Sequence, residues 1–162
     1  MTLAFTDIDS PIGRLRLAAD GDRLHVLAFL DGKEQSEPPI GWREDKAALA
    51  MVIEQLQAYF AGELREFTLP LAPDGTSFQL RVWDELTRIP YGETISYREL
   101  ADRIGNPKAC RAVGLANGSN PIAIVVPCHR VIGANGKLTG YGGGLPVKEK
   151  LLALESRQKS LL

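Results

Sequence analysis

The sequence predicts an α+β fold in which a small N-terminal α/β lobe is followed by a mostly helical C-terminal domain. Three observations support this fold: alternating apolar and polar residues near the start, helically spaced apolar residues further on, and a Pro- and Gly-containing connection between them. The connection covers residues 63–76, so we expect one lobe over residues 1–75 and a second domain over residues 76–162. With 162 residues, 44% of them hydrophobic, the chain is long enough to bury a core.

The N-terminal lobe is expected to be an antiparallel sheet covered by one helix. Over residues 3–29 the alternation runs in three short stretches separated by turn-forming residues at 9–13 and 20–21, the pattern of a three-stranded meander. Over residues 45–60 the apolar residues recur with helical spacing, and Gly62 is placed to end the helix. The apolar positions of this covering helix are Leu49, Val52, Leu56, Tyr59 and Phe60.

Helix-start signals dominate the second half of the chain. Thr76 with Gln79, and Ser96 with Glu99, have the spacing of a capping box. A third helix is expected over residues 106–116. The second and third of these helices are short and joined by a tight turn, so we expect a winged helix-turn-helix-like DNA-binding motif. A two-helix corner in any core would give the same pattern.

The net charge of −1 argues against a nucleic-acid binder, but the charge is unevenly distributed. Residues 1–76 contain 7 Lys and Arg against 13 Asp and Glu, whereas residues 77–162 contain 12 against 7. The second part could therefore face phosphate groups. Alternatively, the split arises by chance and the charges only solvate the surface.

Three chemically reactive residues follow a buried run. Residues 122–126 are all apolar and predict a buried strand that Pro127 ends, and Cys128, His129 and Arg130 come next. A thiolate is the nucleophilic form of cysteine, and a neighbouring imidazole that accepts the proton favours it. Since adjacent side chains of an extended chain point to opposite faces, His129 would reach the sulfur around a turn or through a water molecule.

A nucleophile and base of this kind need a third group that orients the imidazole. Our candidate is Glu155, on the last amphipathic helix, which begins near Pro146. Cys110, by contrast, has only Arg111 as a basic neighbour, and we expect it to be an inert core residue.

Other classes of protein find little support in the composition. Two cysteines cannot form a disulfide framework or a cysteine-rich zinc site, and His25 is expected at the surface or in a hydrogen bond rather than on a metal. The start lacks a basic, apolar leader, and no stretch approaches the roughly 20 apolar residues of a membrane span. We therefore expect a cytoplasmic protein.

The segment 127–131, Pro-Cys-His-Arg-Val, resembles the active-site signature of the O6-alkylguanine-DNA alkyltransferases. Further parts of that family's pattern lie on both sides with family-typical spacing, at residues 95–97, 111–114, 117–121, 140–145 and 148–152. The resemblance covers about residues 76–156. It implies DNA repair by irreversible transfer of the alkyl group of O6-alkylguanine, and of O4-alkylthymine, onto the protein itself, once per molecule and without a cofactor.

The resemblance also implies a role for each catalytic residue. Cys128 would accept the alkyl group, and His129 would take the thiol proton through a water molecule. Glu155 would hold and polarise His129, and Asn120 would brace the turn that carries the cysteine.

Two further sets of residues are implied to bind the substrate. Tyr97, Val131, Tyr141 and Gly142 would contact the guanine, with only a backbone N–H available at Gly142, where some relatives carry serine. The glycines at 142–144 could alternatively form a flexible loop or a phosphate cradle, although no lysine or serine follows at P-loop spacing. A monomer would meet the minor groove of duplex DNA around a flipped nucleotide, whose place Arg111 would fill. The implied DNA contacts are Arg111, Ala112, Gly114, Asn117, Gly118 and Ser119.

Two other functions stay open from the residues alone. A binding module of the same fold would recognise lesions without removing alkyl groups, but such relatives lack the cysteine that stands here at Cys128. A Cys-His hydrolase would use the same nucleophile and base, but it gives no reason for the helix pair or for Arg111. Repeated turnover of an ester would favour the hydrolase.

Overall fold

The computed structural model describes residues 2–30, 37–133, 135, 136, 141 and 144–160, with side chains up to residue 157. The chain divides into two compact units, Met1–Pro73 and Asp74–Leu162. None of the helices in these described stretches is long and apolar enough to cross a membrane.

The first unit contains a four-stranded sheet with the strand order β3-β2-β1-β4. Strands β1 (Ala4–Ile8), β2 (Leu15–Asp20) and β3 (Arg23–Phe29) form the predicted antiparallel meander. Strand β4 (Arg43–Glu44) pairs in parallel with β1. It was not predicted, because two residues are too few to show an alternating pattern.

One helix accompanies this sheet, as the spacing of apolar residues predicted. A 3-10 turn (Ala47–Leu49) packs on β1 and β2 and leads into α1 (Ala50–Phe60). Gly62 follows with φ +78°, the left-handed geometry that commonly ends helices. The buried residues of the helical segment and the sheet form the core: Leu15, Leu17, Leu24, Leu27, Leu49, Val52, Leu56 and Tyr59.

His25, on β3, is buried, which excludes the first of the two places expected for it, the surface and a hydrogen bond. Residues 70–72 run beside β3 and pair with its backbone, with the Leu24 N–H donating to the Pro70 carbonyl at 2.9 Å. Residues 70–72 therefore cover part of the outer edge of β3, which the apolar–polar alternation of the β3 sequence does not predict.

The second unit is mostly helical. Helix α2 (Ser77–Leu86) begins with the predicted capping box, in which Thr76 and Gln79 exchange side-chain and backbone hydrogen bonds. Helix α3 (Tyr97–Arg103) begins at Ser96, whose hydroxyl accepts from the Glu99 N–H at 3.0 Å. The indole N–H of Trp83 in α2 donates to the buried Ala116 carbonyl at 2.7 Å, which ties α2 to the helix that follows α3.

Helix α4 (Cys110–Gly118) completes the helix-turn-helix. It begins later and ends later than the predicted 106–116 helix. Residues 106–109 instead form a turn, in which the Ala109 N–H donates to the Asn106 carbonyl at 2.9 Å. Gly105, with φ +79°, directs the chain out of α3 into this turn.

The apolar run at 122–126 is buried but is not the predicted strand. Its backbone folds back on itself: the Val126 N–H donates to the Ile122 carbonyl at 3.0 Å, and Ile124 has φ +70°. A short apolar run fits a buried turn as well as a buried strand, so the pattern could not separate them.

The chain then places the reactive segment between two regular elements. Cys128–Arg130 form a 3-10 turn, and β6 (Val131–Ile132) pairs in parallel with β5 (Ile95–Ser96), directly before α3. After β6 the Gly136 N–H donates to the Gly133 carbonyl at 2.9 Å. Helix α5 (Leu145–Ser160) begins where predicted, near Pro146.

Candidate active site

Cys128, His129 and Arg130 are all buried, with 5%, 0% and 6% of their surface exposed. They occupy a 3-10 turn rather than an extended chain. In a 3-10 turn successive side chains are about a third of a turn apart, so they do not point to opposite faces as they would in a strand. The turn therefore lets the thiol and the imidazole serve one site.

The imidazole of His129 contacts the carboxylate of Glu155, which α5 supplies. His129 Nε2 lies 2.7 Å from Glu155 Oε2, and both side chains are buried. Burial acts to raise the pKa of Glu155, but its bonds to His129 and Arg130 outweigh that effect and hold the pKa well below its usual range. Because the carboxylate is ionised, Nε2 carries the proton in this pair.

His129 is held as a neutral imidazole. Burial lowers the pKa of His129, and the attraction of Glu155 only partly opposes this. With the proton on Nε2, the other ring nitrogen, Nδ1, is a proton acceptor. Nδ1 is buried and has no hydrogen-bond partner among the residues that the structure describes.

Arg130 was named in the sequence analysis as a neighbour of the nucleophile, but no role was assigned to it there. Its Nε donates to Glu155 Oε1 at 2.8 Å and its Nη2 to Glu155 Oε2 at 3.0 Å, so the guanidinium grips the carboxylate with two bonds. Its Nη1 donates to the Ile89 carbonyl at 2.7 Å. The signal was its adjacency to His129, since a buried arginine needs a carboxylate.

The thiol of Cys128 is surrounded by hydrogen-bonding groups. Burial raises its pKa, whereas interactions with the side chains of Asn120 and Tyr141 and the charge of Lys148 lower it. Burial also raises the pKa of Tyr141 far above its usual value, so its hydroxyl stays protonated and can donate.

Asn120 connects the thiol to the buried turn before it. Its amide donates to the Val126 carbonyl at 2.8 Å, and its carbonyl accepts from the Ile122 N–H at 3.0 Å. Asn120 therefore lowers the pKa of the thiol and also holds the backbone before it.

Two carbonyls near the thiol accept bonds from side chains. The ammonium of Lys148, a fully buried residue, donates to the Val131 carbonyl at 2.6 Å and lies 6.0 Å from the centre of the Tyr97 ring. The amide of Asn117 donates to the Cys128 carbonyl at 3.3 Å. Lys148 entered the sequence interpretation only within a matching segment, with no role assigned.

Asn117 is therefore not on the surface where a DNA contact was expected. It is 3% exposed, because it lies one helical turn after Val113 on the buried side of α4. The other expected DNA contacts lie differently: Gly114 is half-buried and faces Tyr97, while four are exposed, namely Arg111, Ala112, Gly118 and Ser119.

Two further expectations concern residues near this face. Cys110, expected in the core, is exposed as the first residue of α4, since the helix begins later than predicted. Gly142, expected to contact the base, lies outside the described residues.

The described part of the chain contains no group of three His, Cys, Asp or Glu side chains that could hold a metal ion. The site therefore consists of a thiol, an acceptor nitrogen held by a carboxylate, and the exposed face of a helix-turn-helix in the same unit. Together these define a protein with a nucleophilic cysteine beside a helix-turn-helix.

Comparison with known families identifies the whole chain. The family model described as 6-O-methylguanine DNA methyltransferase, DNA binding domain, matches residues 77–157. The model described as 6-O-methylguanine DNA methyltransferase, ribonuclease-like domain, matches residues 3–73. The chain belongs to the 6-O-methylguanine DNA methyltransferase family, which confirms the resemblance seen in the sequence.

Individual relatives agree over nearly the full length. The methylated-DNA-protein-cysteine methyltransferase of Methanosarcina acetivorans is 58% identical over 91% of this chain and 94% of its own. That of Mycobacterium tuberculosis H37Rv is 59% identical over 93% of this chain and 91% of its own. The crystal structure of the Mycobacterium tuberculosis protein in complex with DNA has a TM-score of 0.89 at 57% identity and covers 96% of this chain and 94% of that one.

Proposed function

We propose that this protein repairs DNA by transferring the alkyl group of O6-alkylguanine to the sulfur of its own Cys128. The observation that carries the proposal is the buried Cys128 thiol beside a His129–Glu155 pair, in a chain 58% identical to a methylated-DNA-protein-cysteine methyltransferase. O4-alkylthymine presents the same kind of alkyl group on a ring oxygen, and we propose it as a second substrate.

The reaction needs only groups that this chain supplies. The thiol proton passes through a water molecule to Nδ1 of His129, which is the acceptor nitrogen of the neutral ring. The sulfur then attacks the alkyl carbon, so that a carbon–sulfur bond forms while the bond from that carbon to O6 breaks. The electron pair of the broken bond leaves with guanine, whose negative charge the hydroxyl of Tyr97 stabilises.

The protein is consumed by this reaction. The product is a thioether, and a carbon–sulfur bond is not reopened by the thiols or reductants that cleave disulfides. Each molecule therefore repairs one lesion.

In this proposal, helix α4 contacts the DNA. Its exposed face carries Arg111 and the small residues Ala112 and Gly118, which allow close approach to a groove. We propose that this face lies in the minor groove and that the damaged nucleotide is flipped toward Cys128, with Arg111 in its place. A single chain contains every group used, so we propose that it acts as a monomer.

The test is mass spectrometry of the intact protein after mixing with a duplex that carries one O6-methylguanine. The proposal expects the mass of one methyl group to be added, on Cys128, with no further gain in excess DNA. The variant Cys128→Ser is the matched control and should bind the duplex without gaining mass. Binding without any mass change in the unaltered protein would instead indicate a lesion sensor, and repeated turnover of an ester would indicate a hydrolase.

A further inference from the structure

We infer that Arg130 is a positioning residue for the transfer reaction: it fixes Glu155 so that His129 keeps one tautomer and remains the acceptor of the thiol proton. The inference rests on the proposed function, since it concerns the proton path of that reaction. Arg130 acts through Glu155 and His129 rather than on the reacting atoms.

The geometry of the carboxylate is the first argument. Glu155 Oε2 receives both His129 Nε2, at 2.7 Å, and Arg130 Nη2, at 3.0 Å, while Oε1 receives Arg130 Nε at 2.8 Å. Two parallel bonds from a planar guanidinium fix the plane of a carboxylate, which a single bond does not. Arg130 therefore holds the oxygen that orients the imidazole, and the Gly92 N–H adds a longer bond of 3.4 Å to Oε1.

The positive charge of Arg130 also acts on the protonation of His129. A lone buried carboxylate beside His129 would favour the imidazolium, which has no free nitrogen to accept a proton. Arg130 is always charged and shares this carboxylate, and its positive charge acts against a second positive charge on the ring, in the same direction as burial. The titratable and charged groups that act on the imidazole and its carboxylate are Cys128, Arg130, Tyr141, Lys148 and Glu155.

The alternative is that Arg130 only stabilises the fold. Arg130 also donates to the Ile89 carbonyl at 2.7 Å, and its guanidinium lies 5.7 Å from the centre of the Tyr91 ring. If these contacts were its only function, substitution would lower stability without changing the pH dependence of the reaction.

The experiment measures single-turnover transfer from the O6-methylguanine duplex between about pH 5 and about pH 9, a range that spans the titration of histidine. Arg130→Gln removes the positive charge that opposes protonation of His129. The midpoint of the acidic side of the pH–rate profile should therefore move to higher pH. Below that midpoint, the rate should fall about tenfold for each pH unit of the shift. Arg130→Lys keeps the charge but loses the two-bond grip, so its rate should be lower at every pH with the midpoint of the unaltered protein.

Two controls make the result decisive. In the background of Glu155→Gln the loss caused by Arg130→Lys should disappear, because Arg130 acts through the carboxylate. Circular dichroism checks that each variant is folded; if Arg130→Gln is not, the rate and midpoint of Arg130→Lys decide the question.

An unmoved midpoint in a folded Arg130→Gln variant, or an Arg130→Lys variant as fast as the unaltered protein, would overturn the inference. An Arg130→Lys loss that persists in the Glu155→Gln background would overturn it as well. Failure of the unaltered protein to take up a methyl group would instead overturn the proposed function.

Discussion

At the scale of single residues, the thiol of Cys128 is subject to opposing effects. Burial raises its pKa and favours the protonated, unreactive form, while Asn120, Lys148 and Tyr141 favour the thiolate. The nucleophile is thus kept as a thiol until its proton can leave for His129. Substitutions that remove one of the favourable contacts should slow the reaction without removing the nucleophile.

Tyr141→Phe removes a single hydrogen-bond donor from the sulfur. A hydrogen bond to a charged group contributes about 1.5–3 kcal/mol, so the single-turnover rate should fall roughly tenfold or more. Tyr59→Phe, a buried tyrosine of the first unit, is the matched control and should leave the rate unchanged. Equal rates for Tyr141→Phe and the unaltered protein would show that the hydroxyl does not act on the thiolate.

Asn120→Ala should affect stability as well as rate, because this side chain also holds the Val126 carbonyl and the Ile122 N–H. A buried group left without its partner costs about 1–3 kcal/mol, which urea unfolding can measure. Asn120→Asp keeps the acceptor for Ile122 and should recover part of the stability. If Asn120→Ala unfolded at the urea concentration of the unaltered protein, the side chain would not be bracing the turn.

At the scale of elements, local signals predicted the helices better than the buried connections. The capping box at Thr76, the Ser96 side of the second predicted box and the helix-ending Gly62 are present as predicted. The run at 122–126 was misjudged because an apolar segment without periodicity shows burial but not conformation. The start of α4 was misjudged because Asn106 closes a turn that delays the helix.

The cap of α2 can be tested by Thr76→Ala. Removing an N-cap costs about 1 kcal/mol, so the protein should unfold at lower urea concentration, while the transfer rate stays the same because the hydrogen bonds of the cap join Thr76 to Gln79 and not to the thiol. Ser77→Ala, at the exposed first position of the same helix, is the control and should have little effect. A transfer rate that fell together with stability would mean that α2 influences the site.

Helix α4 offers a test that separates folding from DNA binding. A Cβ added at Gly118 would meet nothing within 4 Å and the residue is exposed, so Gly118→Leu should fold normally, while it should weaken binding of a fluorescent duplex if this face enters a groove. Gly105→Ala is the contrast: with φ +79° it should lose stability and keep duplex affinity in the folded protein. Unchanged affinity in Gly118→Leu would place the DNA elsewhere.

The residues of the active site were only partly predictable from the sequence. Cys128, His129 and Glu155 were identified because their residue types and the family signature indicate a nucleophile, a base and an orienting group. Arg130 and Lys148 were assigned no role, since their importance lies in contacts with Glu155 and the Val131 carbonyl. Such contacts join segments far apart in the chain, and no spacing along the sequence reports them.

At the scale of the whole molecule, the buried pair makes stability depend on pH. The folded-state pKa values of His129 and Glu155 both lie below their ordinary ones. The unfolded chain therefore binds protons at about pH 6.5 on the histidine and about pH 4.3 on the glutamate, while the folded protein does not. Stability should accordingly fall as the pH is lowered through these values.

Urea unfolding at about pH 7.5 and about pH 5.5 measures the histidine part of this effect. The free energy of unfolding should be smaller at the lower pH, and His129→Asn should show a smaller difference between the two. If the unaltered protein were equally stable at both values, His129 would not be held neutral in the fold.

Alkylation should also lower the stability of the whole protein. Cys128 is 5% exposed, so a methyl group on its sulfur must be accommodated in a packed interior, and overpacking typically costs about 1–3 kcal/mol. The melting temperature should fall after reaction with the O6-methylguanine duplex and stay the same after incubation with unmodified duplex. An unchanged melting temperature after complete reaction would count against this expectation.

The order of synthesis along the chain also affects the site, because helix α5 is made after Cys128 and His129. Glu155 follows His129 by 26 residues, so a ribosome working at about 5–20 residues per second makes the carboxylate roughly one to five seconds after the histidine. During that interval the growing chain contains Cys128 and His129 without the carboxylate that holds the imidazole. A thiol that can be used only once thus gains its complete proton path only when helix α5 has been synthesised.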